Sequence, residues 1–303
     1  MRYISTRGGA EELSFEDVLL KGLATDGGLY VPKVWPQISL TELEGFVGLD
    51  YQEIAYRVMK PFIDKTFSSG DFRNMIKVAY SSFNHDDVCP LKELSDSHFL
   101  LELFHGPTLA FKDVAMQLIG QMFDQLLKNG NSRITVIAAT SGDTGSAAMA
   151  AFKNSSYADV FILFPEGRIS EVQRRQMTTM DRSNIYPIAV AGDFDDCQAL
   201  VKAMFNDSQF KDKVNLTGVN SINWARVMCQ ITYFFYAATA LGAPKETVSF
   251  SVPTGNFGDI FAGYVAKRMG LPIDRLVIAT NENDILNRAL ETGIYRKEHL
   301  MKT

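Results

Sequence analysis

Phe99-Leu100-Leu101-Glu102-Leu103-Phe104-His105-Gly106-Pro107-Thr108-Leu109-Ala110-Phe111-Lys112-Asp113 is the stretch that decides how the chain is read. Its apolar first half, 99–103, has the character of a buried strand. Gly106-Pro107 stops that strand. Thr108 then stands where its hydroxyl can cap a helix beginning at Leu109, which puts Lys112 in the helix's first turn. A helix start carries partial positive charge. With the apolar neighbours Leu109, Ala110, Phe111, Val114 and Ala115, such a position disfavours an ammonium ion. A lysine that loses its proton easily is a nucleophile of the kind that forms Schiff bases. On this stretch alone, a surface lysine that snorkels out of the first turn stays open.

Outward from this point the pattern alternates. Strands are expected at 99–104, 134–139, 160–164, 185–190, 248–252 and 276–280. Helices are expected at 109–128, 146–154, 171–177, 197–206, 224–241 and 258–269, with a further one at 285–291. Alternation of this kind predicts an α/β fold, a mostly parallel sheet with helices on both faces. Ligands then sit outside the carboxyl ends of the strands. The first part of the chain reads differently. Ser14 with Asp17 three residues on signals a capped helix, ended by Gly22. Thr25-Asp26-Gly27-Gly28 is a turn, and helical periodicity returns at 51–63 and 72–83. Residues 1–95 are therefore expected to form a helical N-terminal region without catalytic features, and 96–303 an α/β region.

Two further strand ends carry unusual chemistry. In Ala139-Thr140-Ser141-Gly142-Asp143-Thr144-Gly145-Ser146 a strand runs into small and hydroxyl residues and then a helix. Backbone N–H groups there, with the Ser141 and Thr144 hydroxyls, make an anion cradle suited to a carboxylate or phosphate; a plain turn with a cap is the simpler alternative. In Ser251-Val252-Pro253-Thr254-Gly255-Asn256-Phe257-Gly258-Asp259, Gly255 and Gly258 let amides approach an anion closely. This is neither a nucleotide P-loop nor a dinucleotide fingerprint. No lysine lies in the loop, so a phosphate monoester suits it better than a triphosphate. A reactive lysine, a carboxylate cradle and a phosphate cradle together are what pyridoxal phosphate chemistry requires.

Composition narrows the remaining classes. Of the 303 residues, 46% are hydrophobic and 21% charged, so a sizeable core is expected rather than disorder. A net charge of −5 gives no electrostatic footprint for nucleic acid. Cys89, Cys197 and Cys229 are scattered, as are His85, His98, His105 and His299; neither set has metal-ligand spacing. No metal is expected. No apolar run reaches membrane-spanning length, and no apolar segment follows Met1–Ser5, so a cytoplasmic protein is expected.

The chain resembles the bacterial and fungal type of threonine synthase, among the fold type II pyridoxal phosphate enzymes. The residues that carry this are Tyr3-Ile4-Ser5-Thr6-Arg7-Gly8, Gly22-Leu23-Ala24-Thr25-Asp26-Gly27-Gly28-Leu29-Tyr30-Val31-Pro32, Phe104 through Asp113 and Ala139 through Gly145. Further on they are Gly167-Arg168-Ile169-Ser170-Glu171-Val172-Gln173-Arg174-Arg175-Gln176-Met177, Phe194-Asp195-Asp196-Cys197-Gln198, Asn220-Ser221-Ile222-Asn223-Trp224-Ala225-Arg226 and Pro253 through Asp259. The resemblance runs from residue 3 to the end of the chain.

It implies that Lys112 is the Schiff-base lysine. Gly255, Asn256, Phe257, Gly258 and Asp259 would hold the phosphate of pyridoxal 5′-phosphate. Ser141, Gly142, Asp143 and Thr144 would take the substrate and flank the ring; many fold type II relatives have asparagine where Asp143 stands. The reaction implied converts O-phospho-L-homoserine and water to L-threonine and phosphate, in a monomer or homodimer. Arg168, Arg174, Arg175 and Arg226 are candidates for the substrate phosphate, with ordinary surface salt bridging as the alternative for each. Relatives continue well past Thr303, so the chain is expected to be truncated at its C-terminus. It would then lack the hydroxyl that meets the pyridine nitrogen, bind cofactor weakly and turn over slowly or not at all. The other readings are a phospho-lyase for another phosphorylated hydroxyamino acid and an inactive cofactor-binding fragment.

Overall fold

The structure, a computed structural model, describes residues 1–130, 132–218 and 223–296. Asn220, Ser221 and Ile222 of the threonine-synthase-like stretch, and residues 297–303, lie outside the described residues.

The first part of the chain is β1 (Tyr3–Ser5), α1 (Phe15–Lys21), β2 (Tyr30–Pro32), α2 (Leu40–Glu44), α3 (Tyr51–Ile63) and α4 (Ser69–Tyr80). β1 and β2 pair antiparallel. α1 begins with the reciprocal Ser14–Asp17 cap and ends at Gly22, as its residues predict. α3 keeps its expected bounds, capped by Asp50. α4 starts three residues early, because Ser68 supplies the cap that the apolar periodicity does not show.

The expected strand at 99–104 is corrected. Residues of that stretch form β4 (His98–Leu101), which turns back antiparallel on β3 (Leu91–Ser95). This hairpin lies on the surface, with Phe99 and Leu100 exposed. The turn at Asp96-Ser97 places a partner directly before β4, and a short hairpin closes more readily than a crossover. The helix that follows is also corrected at its start: α5 (Lys112–Gly130) opens three residues later than expected.

Then come β5 (Ile134–Ala139), α6 (Asp143–Phe152), β6 (Ala158–Pro165), α7 (Glu171–Thr178), β7 (Ile185–Val190), α8 (Phe194–Asn206), α9 (Ser208–Lys213), β8 (Leu216–Thr217), α10 (Trp224–Ala240), β9 (Val248–Pro253), α11 (Gly258–Arg268), β10 (Ile273–Ala279) and α12 (Ile285–Thr292). The parallel strands divide into two sheets, β7-β6-β5-β8 and the separate pair β10-β9. α10 is apolar nearly all round and buried, so it needs cover on every side. It takes that cover from α3, α5 and α11.

In the larger sheet the side chains alternate as a two-sided strand requires. Val136, Ala138, Val160 and Ile162 join the main core, while Ile137 and Leu163 face a smaller cluster with Cys197, Val201 and Leu216. Helices therefore cover both faces, α6 on one and α8 on the other. The main core also includes the first 80 residues. Trp224, at the start of α10, meets Phe62 at 5.3 Å and Trp35 at 5.7 Å between ring centroids. No helix among the described residues is long and apolar enough to cross a membrane.

Candidate active site

The turn that presents Lys112 is built by its neighbour. The buried Asp113 carboxylate accepts the Thr108 backbone N–H at 2.7 Å and the Thr108 hydroxyl at 2.8 Å. Thr108 therefore donates where it was expected to accept. Leu109 takes a φ of +60°, which excludes it from the helix, and α5 starts at Lys112 instead. A Cβ on Gly106 would stand 2.4 Å from the Asp113 Cβ, so a larger residue would break this turn. Burial pushes the Asp113 carboxyl up against the lowering effect of the Thr108 bonds.

Lys112 is correctly placed in a first turn, but its surroundings are more polar than its sequence neighbours suggest. Leu109 is exposed and does not shield it. The Lys112 Nζ lies 3.2 Å from Asp143 Oδ2 and 4.6 Å from the centre of the Phe111 ring. Its side chain is 17% exposed, open enough to be reached and shut enough for electrostatics to count.

Asp143 opens α6. Its other oxygen, Oδ1, accepts the Gln173 side-chain amide at 2.5 Å. Partial burial pushes this carboxyl up, but the Gln173 amide and the Lys112 ammonium outweigh it, and it lies below the usual carboxylate value. Thr140 shapes the loop: its hydroxyl accepts the amides of Gly142 and Gly145, each at 3.0 Å, and donates to the Gly142 carbonyl. Gly142 has φ +150°, and a Cβ there would come within 2.3 Å of the Gln173 side chain. Ser141 is exposed, Gly142 buried and Thr144 half-buried. α6 has no side-chain cap from Gly142, and with the Gly145 amide taken by Thr140 it is the amides of Asp143 and Thr144 that can meet an anion.

The glycine loop also feeds an uncapped helix. Phe257, left-handed at φ +64°, precedes α11. Gly255 faces open space, and a Cβ on Gly258 would find only the Gln230 side-chain oxygen at 3.8 Å. Asn256 is exposed. Asp259 accepts a hydrogen bond from the Tyr233 hydroxyl. Burial pushes the Asp259 carboxyl up, with the Tyr233 bond opposing. Lys112 thus meets the 141–144 loop directly, and the glycine loop is joined to it through α10, which packs on both α5 and α11.

The four arginines separate clearly. Arg174 and Arg175 both bond Glu171 on the surface of α7, the ordinary alternative for them. Arg168 is exposed. Arg226 is 5% exposed, and its Nη1 has no hydrogen-bond partner among the described residues. Burial pushes this guanidinium down to about 10. An unpaired buried charge is costly, and an anion beside it would offset that cost. Tyr233 stands two turns further along the same face of α10.

Sequence reasoning gave no role to Thr140, Asp113, Gln173 or Gln176. Gln176 donates to the Thr108 carbonyl at 2.9 Å. Only Gln173 had a legible signal, three residues after Ser170 as in a capping box; its second bond, to Asp143, depends on the fold.

This arrangement, an ion-paired helix-start lysine at one uncapped βα turn and a second uncapped βα turn at α11, agrees with comparison to known proteins. Residues 88–303 match the family described as "Pyridoxal-phosphate dependent enzyme", and residues 2–80 match "Threonine synthase N terminus". The chain belongs to the pyridoxal-phosphate dependent enzymes. Within that family it is 55% identical over 300 residues to threonine synthase of Pseudomonas aeruginosa, covering 99% of this chain and 64% of that one. It is 46% identical to the threonine synthase of Saccharomyces cerevisiae, with 97% and 61% covered. The crystal structure of pyridoxal-phosphate-bound threonine synthase from Brucella melitensis superposes with a TM-score of 0.97 at 56% identity, covering 100% of this chain and 65% of that one. The chain thus spans less than two thirds of the length of these relatives.

Proposed function

We propose that the chain carries the cofactor and substrate loops of a threonine synthase, acting in the cytoplasm on O-phospho-L-homoserine and water to give L-threonine and phosphate. The observation that carries this reading is Lys112, held by Asp143 in the first turn of α5. The resemblance in sequence and structure to threonine synthases supports the substrate. We also propose 1–95 as the N-terminal region and 96–303 as the cofactor-binding region; monomer or homodimer is the proposed state.

The residues fit pyridoxal phosphate. Gly255 leaves open space at an uncapped helix start, where a phosphate can meet backbone N–H groups. In this reading Gly255, Asn256, Phe257, Gly258 and Asp259 hold that phosphate, and Lys112 holds the aldehyde. The cofactor supplies an electron sink for the bond broken at the substrate Cα. Ser141, Gly142, Asp143 and Thr144 receive the substrate carboxylate at the first amides of α6 and flank the ring. The Lys112 amine, when free, would take the proton from the substrate Cα and would serve as base for the later proton at Cβ. Arg226 takes the γ-phosphate and stabilises it as it leaves; its burial, with Nη1 unpartnered among the described residues, supports that role.

The test is phosphate release by the chain loaded with pyridoxal phosphate. O-phospho-L-homoserine should release phosphate and yield threonine. Release from O-phospho-L-serine alone would give the site to a phospho-lyase, and release from neither would leave a cofactor-binding unit.

A further inference from the structure

α7 is an exposed polar helix, with Met177 its only buried residue. Burial does not hold it down, yet two of its side chains grip the site. Gln173 Nε2 donates to Asp143 Oδ1 at 2.5 Å, and Gln176 Nε2 donates to the Thr108 carbonyl at 2.9 Å. Three residues apart, the two lie on one face of the helix. Gln173 is itself fixed, since its Oε1 accepts the Ser170 hydroxyl at 3.0 Å in the cap of α7. The other Asp143 oxygen meets the Lys112 ammonium at 3.2 Å. A chain of bonds therefore runs Ser170, Gln173, Asp143, Lys112. An unsupported carboxylate has two free rotors, whereas one anchored through Oδ1 presents Oδ2 in one direction.

We propose that Gln173 is a positioning residue: its amide fixes the Asp143 carboxylate against Lys112, and Gln176 ties the same helix to the turn that presents the lysine. This rests on the reading of Lys112 as the cofactor lysine. Gln173 touches no reacting atom; it acts through Asp143.

Two measurements test it. The first needs no cofactor. Gln173→Glu keeps the α7 cap, because glutamate is an equally good capping-box partner, but it sets two carboxylates at hydrogen-bond distance. They must share a proton. The other charged groups near the pair are Lys112 and Asp113 on α5; on α7, Glu171 is taken by Arg174 and Arg175. Sharing raises one folded-state pKa above its unfolded value, so that group's contribution to stability is complete at low pH and lost as pH rises. The thermal midpoint of Gln173→Glu should fall relative to the parent by about 2–8 °C between pH 5 and pH 8. The extra pH dependence should vanish in Asp143→Asn. A midpoint difference independent of pH, or one that persists with Asp143→Asn, overturns the contact.

The second measurement follows incorporation of pyridoxal phosphate at Lys112, trapped by borohydride and read by peptide mass. Gln173→Leu should slow it about threefold or more in the parent and leave it unchanged in an Asp143→Asn background, the non-additivity that shared action requires. An equal slowing in both backgrounds, or none in either, would show that Gln173 only supports the fold. If the parent incorporates nothing at Lys112, the cofactor reading fails, while the thermal comparison still decides whether Gln173 holds Asp143.

Discussion

At the scale of single residues, the candidate site holds two features that cost stability, a buried charge and a strained glycine. Arg226 is buried with Nη1 unpartnered among the described residues. Replacing it with an apolar side chain of similar length should raise stability. Arg226→Met is expected to be more stable than the parent by about 1 kcal/mol or more in the unloaded chain, since an uncompensated buried charge is removed. The same change should abolish phosphate release from phosphohomoserine. Denaturant titration and the release assay read the two effects; a less stable Arg226→Met would mean that the guanidinium has found a partner inside the fold. Gly142 is a second such residue. At φ +150° any side chain is strained, and a Cβ would press on Gln173. Gly142→Ala should cost about 1–3 kcal/mol, measured by the same titration. The sequence names both residues but not what sets them apart: Arg226 reads as one of four arginines for the substrate phosphate, and Gly142, a substrate-binding residue by resemblance, shows neither its positive φ nor its approach to Gln173.

At the scale of elements, what the sequence shows depends on how local the cause is. The strands at 134–139 and 185–190 and the helix at 51–63 form where their apolar patterns place them. Their limits come from turn residues and caps a few positions away. The start of α5 was misplaced because Asp113 reaches back five residues to Thr108, and a helix-period pattern cannot show that bond. The exposed hairpin of β3 and β4 was missed because Phe99–Leu101 is as apolar as a core strand while its partner lies just upstream. Contacts between helices carry predictions of their own. A Cβ on Gly120 of α5 would stand 2.6 Å from the backbone carbonyl oxygen of Ala151 at the end of α6. Backbone cannot move aside as a side-chain tip can, so Gly120→Ala should destabilise by about 1–3 kcal/mol. α3 and α4 are joined by charge: Glu53 of α3 takes Arg73 of α4 as well as Arg57. Arg73 first, then Arg57, hold the Glu53 carboxyl down to about 2. A depressed carboxyl stabilises the fold above its unfolded value and loses that contribution as pH falls through the folded one. Acid unfolding monitored between pH 4.5 and about 2 should therefore flatten in Glu53→Gln; an unchanged acid limb would show that these surface pairs contribute nothing.

At the scale of the whole molecule, the alternation of strands and helices was enough for the fold class but not for the division into two sheets. The all-round apolar surface of α10 is visible in the sequence, but its partners, α3, α5 and α11, are not. α10 also links the elements that carry the three loops proposed as one site. It packs against the helix of Lys112, holds Asp259 of the glycine loop through Tyr233, and carries Arg226 two turns before Tyr233. The central claim is that this assembly exists to place one lysine on pyridoxal phosphate. The most direct measurement is to load the purified chain with the cofactor, reduce it with borohydride and map the modified peptide. The account predicts a single phosphopyridoxyl adduct on Lys112, absent from a folded Lys112→Ala variant. An adduct on another lysine, or an undiminished visible absorbance band in Lys112→Ala, would contradict it.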